Sequence, residues 1–284
     1  MNTQHLRWLA SRLPPRLVTA LRYHREWMYL RDWRRFDGPQ RSVVFFTVRK
    51  CASTMMRRLM ADLARRHLGL TPLNLVGYLW DVSPTPDIYA LMRAQAPRLL
   101  QPGGKMYAPL RQFVDCSHAP EMRLLGMFRD PRDVVVSAYY SARYSHRPPA
   151  NRRRQAAFHE RRRRMQDIAF EDWIRADAQQ TKQVYAAHRA GLPRDRVITY
   201  EQMWEDFDAW LETLGERLEI AFTPQDRAHY RRLSGVDDAV DENPRAHRRQ
   251  GRPGDFREKV SPELAAELTA LFADELTWLY GSPT

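Results

Sequence analysis

Lys50 heads a short run of small residues, Cys51-Ala52-Ser53-Thr54, and Arg49 stands directly before it. A cation followed by small side chains and two hydroxyls has the composition of an anion cradle. Small residues let a phosphate or sulfate approach the backbone, N–H groups converge on the charge where a helix begins, and Ser53 and Thr54 add donors. Lys50 is one of only four lysines among 46 Lys and Arg residues, the others being Lys105, Lys182 and Lys259. A compact ammonium, in a chain that otherwise uses guanidinium, suits a point charge aimed at one oxygen. Taken alone, the turn also fits a plain helix cap with its lysine in solvent. It lacks the glycines of G-x-x-x-x-G-K-[ST], and its lysine precedes the helix, which disfavours a kinase or GTPase.

Further along, Arg129-Asp130-Pro131-Arg132-Asp133-Val134-Val135-Val136-Ser137 sets a guanidinium fork and a hydroxyl where both can address one phosphate. Arg132 and Asp133 read as structural, through the helix dipole and local ion pairing. Tyr200-Glu201 and the basic, glycine-bearing Arg248-Arg249-Gln250-Gly251-Arg252-Pro253-Gly254-Asp255-Phe256 complete the set. By itself Tyr200 fits an ordinary core position equally well.

The elements that must position these residues are legible from periodicity. Ser42 to Val48 (SVVFFTV) predicts a strand buried on both faces, and Met55, Met56, Leu59, Met60, Leu63, Ala64 and Leu68 predict the helix after the Lys50 turn, stopped by Gly69. Met122 to Phe128 predicts a second strand; Asp130 caps and Pro131 opens a helix running to about Tyr144. Arg196 to Tyr200 predicts a third strand, followed by a helix through Met203, Trp204, Phe207, Trp210, Leu211, Leu214 and Leu218. Ser261-Pro262-Glu263 opens a last helix ended by Gly281. Residues 71–104 read as loops and short helices. The Arg-rich 147–164 stretch reads as a solvated loop or helix face, or as a lid over an anionic ligand. Strand and helix alternate, which predicts an α/β fold with a central parallel sheet flanked by helices.

Four motifs in this order and at these distances resemble the sulfotransferase family that uses 3′-phosphoadenosine 5′-phosphosulfate (PAPS), over roughly residues 42–281. The resemblance implies a P-loop-like nucleotide-binding fold and transfer of a sulfuryl group from PAPS to a hydroxyl or amine, leaving PAP. It makes Arg49, Lys50, Cys51, Ala52, Ser53, Thr54 and Met55 the 5′-phosphosulfate loop, with Lys50 catalytic at the bridging oxygen. The family often has glycine where Ala52 stands and an adenine-stacking Trp where Met55 stands. Arg129, Ser137, Arg248, Arg249 and Gly251 would hold the 3′-phosphate, and Tyr200 would lie near the adenine. Many members carry a basic His where this chain has Tyr107. His146, nine residues beyond Ser137 and so ~13 Å further along a continuous helix, is the candidate base, although a His at a helix C-terminus can also be only a cap. His118 precedes the second strand and falls at the amino end of the sheet, away from the ligand side.

Composition bounds the rest. The 284 residues carry 43% apolar side chains and a net charge of +12, enough for one sizeable core and a bias toward anionic partners. Cys51 and Cys116 are the only cysteines, so neither a disulfide framework nor a metal site is expected. Without an apolar run long enough for a membrane span or signal peptide, a cytoplasmic protein is expected. Residues 1–40 form a basic amphipathic segment ahead of a sulfotransferase domain at 41–284. Its interleaved Leu, Trp and Arg residues over 1–37 fit either peripheral contact with the inner membrane surface or a helix packed on the domain, and Pro14-Pro15 interrupts them. The acceptor would be a small molecule, lipid or glycan, with no specific nucleic acid. The alternative is a basic nucleic-acid-binding or membrane-surface protein on an inactive sulfotransferase fold.

Overall fold

The computed structural model describes residues 15–85, 87–145, 152–236 and 252–281. Helices α1 (Pro15–Arg22) and α2 (His24–Leu30) come first. Strand β1 (Val43–Thr47), buried at every position, leads into α3 (Ser53–Arg66), which buries Met56, Leu59, Met60, Leu63 and Ala64. Then follow β2 (Thr71–Leu73), α4 (Leu75–Val82), α5 (Ile88–Ala94), α6 (Ala96–Leu99), β3 (Lys105–Leu110), β4 (Arg123–Phe128) and α7 (Pro131–Tyr140). The C-terminal half carries α8 (Arg152–Asp167), α9 (Phe170–Gly191), β5 (Val197–Thr199), α10 (Tyr200–Glu205), α11 (Phe207–Leu218) and α12 (Pro224–Ser234). The chain closes with α13 (Phe256–Lys259), α14 (Pro262–Leu271) and α15 (Ala273–Tyr280).

The five strands form one parallel sheet in the order β2-β3-β1-β4-β5, with helices around it. From the central β1 the chain crosses to the edge strand β2 and returns to β3 beside β1, then places β4 and β5 on the other side. The turns after β1 and β4 therefore border the switch point of the sheet, where ligands of open α/β sheets bind. One apolar cluster surrounds the strands, and a second joins Val135, Val136 and Tyr139 of α7 to Trp173 and Ile174 of α9 and Leu264, Leu268 and Phe272 behind them.

Several elements differ from expectation. Lys105–Leu110 is a fully buried strand, although its lysine and Pro109 mask any β pattern. Lys105 tolerates burial because its ammonium donates to Asp37 (2.5 Å) and to the Gly103 carbonyl (2.8 Å). The helix expected through Met203 to Leu218 breaks at Asp206, whose carboxylate caps α11 by accepting from the Asp208 and Ala209 N–H groups. The last helix divides at Phe272, which is fully buried. Helix α7 stops at Tyr140 and passes into a π-helical turn, Ser141–Ser145. The Arg-rich stretch is helical from Arg152 onward.

Candidate functional site

Two backbone features shape the turn after β1. Lys50 and Ala52 both have positive φ, 60° and 44°, so the chain passes through left-handed conformations on either side of Cys51. Such alternation curls successive N–H groups into a concavity suited to an anion, and α3 begins there with its first N–H groups free of intrahelical acceptors. Thr47 Oγ1 and Cys51 Sγ both donate to the Met127 carbonyl, at 2.9 and 3.4 Å, and pin the turn to β4. Cys51 is fully buried, and burial pushes its thiol up to about 12, so it packs and does not react. Thr54 is exposed, Ser53 is nearly buried at the helix start, and Met55 packs partly against the core.

Arg49 lies to one side of the cradle. Its guanidinium pairs with Asp177 and donates to Thr181 Oγ1 at 2.8 Å, both on α9. Burial raises the Asp177 pKa and the charge of Arg49 opposes that rise. Asp177 and Thr181 escaped the sequence reading. Their only signal is an acid and a hydroxyl one helical turn apart.

Arg129 gathers the motifs. It is buried, and its guanidinium donates to the Asp133 carboxylate (3.2 Å), the Arg252 carbonyl (2.9 Å) and the Lys50 carbonyl (3.4 Å). Its charge sits over the Tyr200 ring, 4.6 Å from the centroid. Burial opposes the positive charge, but Asp133, Tyr200 and Glu201 outweigh it and keep Arg129 protonated. Tyr185 on α9 fixes the backbone there by donating to the Arg129 carbonyl at 2.5 Å. The Arg129 Nε is buried without a partner.

Around this hub Asp133 accepts from the Gly254 and Phe256 N–H groups, at 2.7 and 3.0 Å, tying the late loop to α7. Arg132 is held by Asp130 and lies over the Phe256 ring. Glu201 accepts from the Asp130 N–H (3.0 Å) and the Tyr280 hydroxyl (2.8 Å), and burial raises its pKa to about 7 against the pull of Arg129. Tyr200 accepts from the Trp204 indole, and Ser137 is partly buried on α7. Arg248, Arg249, Gly251 and His146 lie outside the described residues. Tyr107 is not a usable base: it is fully buried in β3, bonded to the Tyr29 hydroxyl and the Gln101 backbone, and its pKa is driven up by desolvation. His118 contacts the Leu100 carbonyl through Nε2 at 2.8 Å.

The family model of the sulfotransferase domain matches residues 40–279. No curated protein matches the chain. Among solved structures, mouse sulfotransferase SULT7A1 complexed with PAP is 16% identical, over 85% of this chain and 86% of that one, with a TM-score of 0.48. Retinol dehydratase in complex with retinol and PAP is 14% identical, over 89% and 86%, with a TM-score of 0.44. The same enzyme with androsterone and PAP is 15% identical, over 89% and 86%, with a TM-score of 0.43.

Proposed function

The chain belongs to the sulfotransferase family, and from that premise we propose that it moves a sulfuryl group from PAPS to a hydroxyl or amine of a small-molecule, lipid or glycan acceptor. The observation that carries this reading is the set of contacts around Arg129, which joins the Lys50 turn, the α7 motif, Tyr200 and the late loop in one place. A buried, unpartnered Arg129 Nε and a left-handed turn with convergent N–H groups fit a nucleotide bearing phosphates at both ends.

In this reading the backbone of 51–55 with Ser53 and Thr54 holds the 5′-phosphate, and Arg129 with Ser137, Arg248, Arg249 and the Gly251 backbone holds the 3′-phosphate. The donor supplies an activated sulfuryl group. The acceptor oxygen or nitrogen forms a bond to sulfur while the bridging sulfur–oxygen bond breaks, and the acceptor proton passes to a base, for which His146 is the candidate. Lys50 neutralises charge that grows on the bridging oxygen, so its contribution belongs to the transition state. No described helix is long and apolar enough to cross a membrane, and no described cluster of His, Cys, Asp or Glu could hold a metal ion.

Thermal unfolding with PAP, with ADP and with a DNA duplex tests the proposal. Stabilisation by PAP well above ADP is expected, and a shift with DNA alone would favour a nucleic-acid-binding protein. Lys50→Ala should lower turnover by roughly a hundredfold or more with little change in PAP affinity. Turnover within a few fold of the parent would remove Lys50 from the chemistry.

A further inference from the structure

Seven large apolar side chains stand out as exposed among the described residues, and five of them gather on three elements that pack against one another. Leu17 and Leu21 lie one turn apart on α1, Trp33 follows α2, and Trp80 and Val82 end α4. Leu21 is 61% exposed and Trp33 69%. The three elements are joined from behind: Tyr23 donates to Asp81 and packs edge-on against Tyr78, Arg22 pairs with Asp81, and Glu26 accepts from the Asn74 N–H that opens α4. The inner sides of α1, α2 and α4 are thus consumed by the fold, while leucine, valine and tryptophan remain outside. One or two exposed apolar residues are ordinary; a cluster of this kind marks an interaction surface.

The charges interleaved with it select the partner. Arg22 is next to Leu21, and around Trp33 the exposed Arg31, Arg34 and Arg35 outnumber the exposed Asp32 three to one. Aliphatic residues one turn apart beside arginine, with a tryptophan among further arginines, form the pattern of an element lying in a lipid interface. A second copy of the chain is a poor occupant, because a two-fold contact would bring this face onto its own equivalent and set arginine against arginine. The face also adjoins the proposed site. Arg57, one turn beyond Ser53 on α3, is partly desolvated and feels the charge of Arg22 next to it.

We propose that the face formed by α1, the residues after α2, and α4 docks on an anionic bilayer, and that the acceptor is an amphiphile presenting its hydroxyl or amine at that interface. The docking half stands alone, whereas the acceptor half rests on the sulfuryl-transfer reading above.

Sedimentation of the full chain with phosphatidylcholine vesicles, with and without phosphatidylglycerol, tests the docking. Binding is expected only to the mixed vesicles. Paired Leu21→Glu and Trp33→Glu should weaken it at least about tenfold, and Arg34→Gln about fivefold, as expected for loss of one cation near an anionic surface. PAP stabilisation of each variant should match the parent, which separates docking from folding and from the nucleotide site. Failure to bind mixed vesicles, or equal binding by the Leu21 and Trp33 variants, overturns the docking face. So does loss of binding on Trp8→Glu while those variants remain unaffected, which would move the contact to residues 1–14. For the acceptor, labelled PAPS incubated with cell extract should place label in the solvent-extracted lipid fraction. Label confined to the aqueous fraction overturns that half, whereas absence of any transfer or PAP stabilisation would count against sulfuryl transfer itself.

Discussion

Asp133→Asn is the most informative perturbation of the proposed nucleotide corner, because one carboxylate serves three donors there. One oxygen accepts from the Gly254 N–H and from Arg129, and the other accepts from the Phe256 N–H. Asparagine has a single carbonyl oxygen, so at least one backbone N–H of the late loop would face an NH₂ group and lose its partner. A buried donor left unsatisfied costs about 1–3 kcal/mol, and a buried arginine deprived of its counter-ion costs about 3–5 kcal/mol. The two losses overlap, since both arise where Arg129 and the loop share Asp133, so a total of about 3–5 kcal/mol is expected. For a chain of this length that corresponds to a fall in Tm of roughly 5–8 °C. The same substitution should release the 252–256 loop and loosen Arg129, so PAP affinity should fall far more than 5′-AMP affinity. Thermal unfolding and titration with the two nucleotides give both quantities. Adding Arg129→Met to Asp133→Asn should recover part of the stability, by removing the uncompensated cation, without recovering PAP affinity. A stability loss below about 1 kcal/mol with the PAP preference intact would refute the idea that Asp133 holds this corner together.

Other substitutions probe the turn and the core. Ala52 sits at φ 44°, where a side chain costs about 1–2 kcal/mol; Ala52→Gly removes that cost, is offset in part by the freer unfolded chain, and should raise Tm slightly while leaving PAP affinity equal or better. A fall in Tm would show that the conformation carries no strain. His188 is fully buried among Phe46, Phe113 and Phe128, and neither ring nitrogen makes a hydrogen bond of normal geometry. Burial pushes its pKa down from 6.5 to about 3, with the Arg111 backbone opposing only in part. The unfolded chain therefore takes up a proton near pH 6.5 that the folded one refuses until near pH 3, and stability is lost as pH falls through that window. Near pH 5 the loss is ~2 kcal/mol, and His188→Leu should abolish it in urea unfolding compared at neutral and acidic pH; parallel pH slopes for the two proteins would rule it out.

Much of this arrangement is legible in the sequence because its signals are local. An all-apolar run gives β1, a proline after an acid gives the start of α7, and a serine before Pro262 gives the cap of α14. What was missed depends on partners far along the chain. Lys105 can enter the sheet only because Asp37 and two carbonyls receive its ammonium, and nothing around residue 105 announces Asp37. Arg49 reads as a member of the cradle by adjacency, yet Asp177, distant in sequence, draws it aside. Asp133 reads as a helix-dipole residue, and its larger role depends on the backbone of the late loop reaching back to it. The break at Asp206 was visible as a capping residue, but continuous apolar spacing from Met203 to Leu218 concealed it.

The ladder between β1 and β4 has a consequence for how such a protein can change. The strands pair residue for residue from Val43 with Arg123 to Thr47 with Met127, and the Thr47 hydroxyl and Cys51 thiol close that register at a single carbonyl. Inserting one residue into either strand would move Lys50 by about 3.3 Å relative to Arg129 and turn its neighbours to the opposite face. The span between Lys50 and Arg129 is thus a ruler cut in backbone, and no side-chain substitution can restore it.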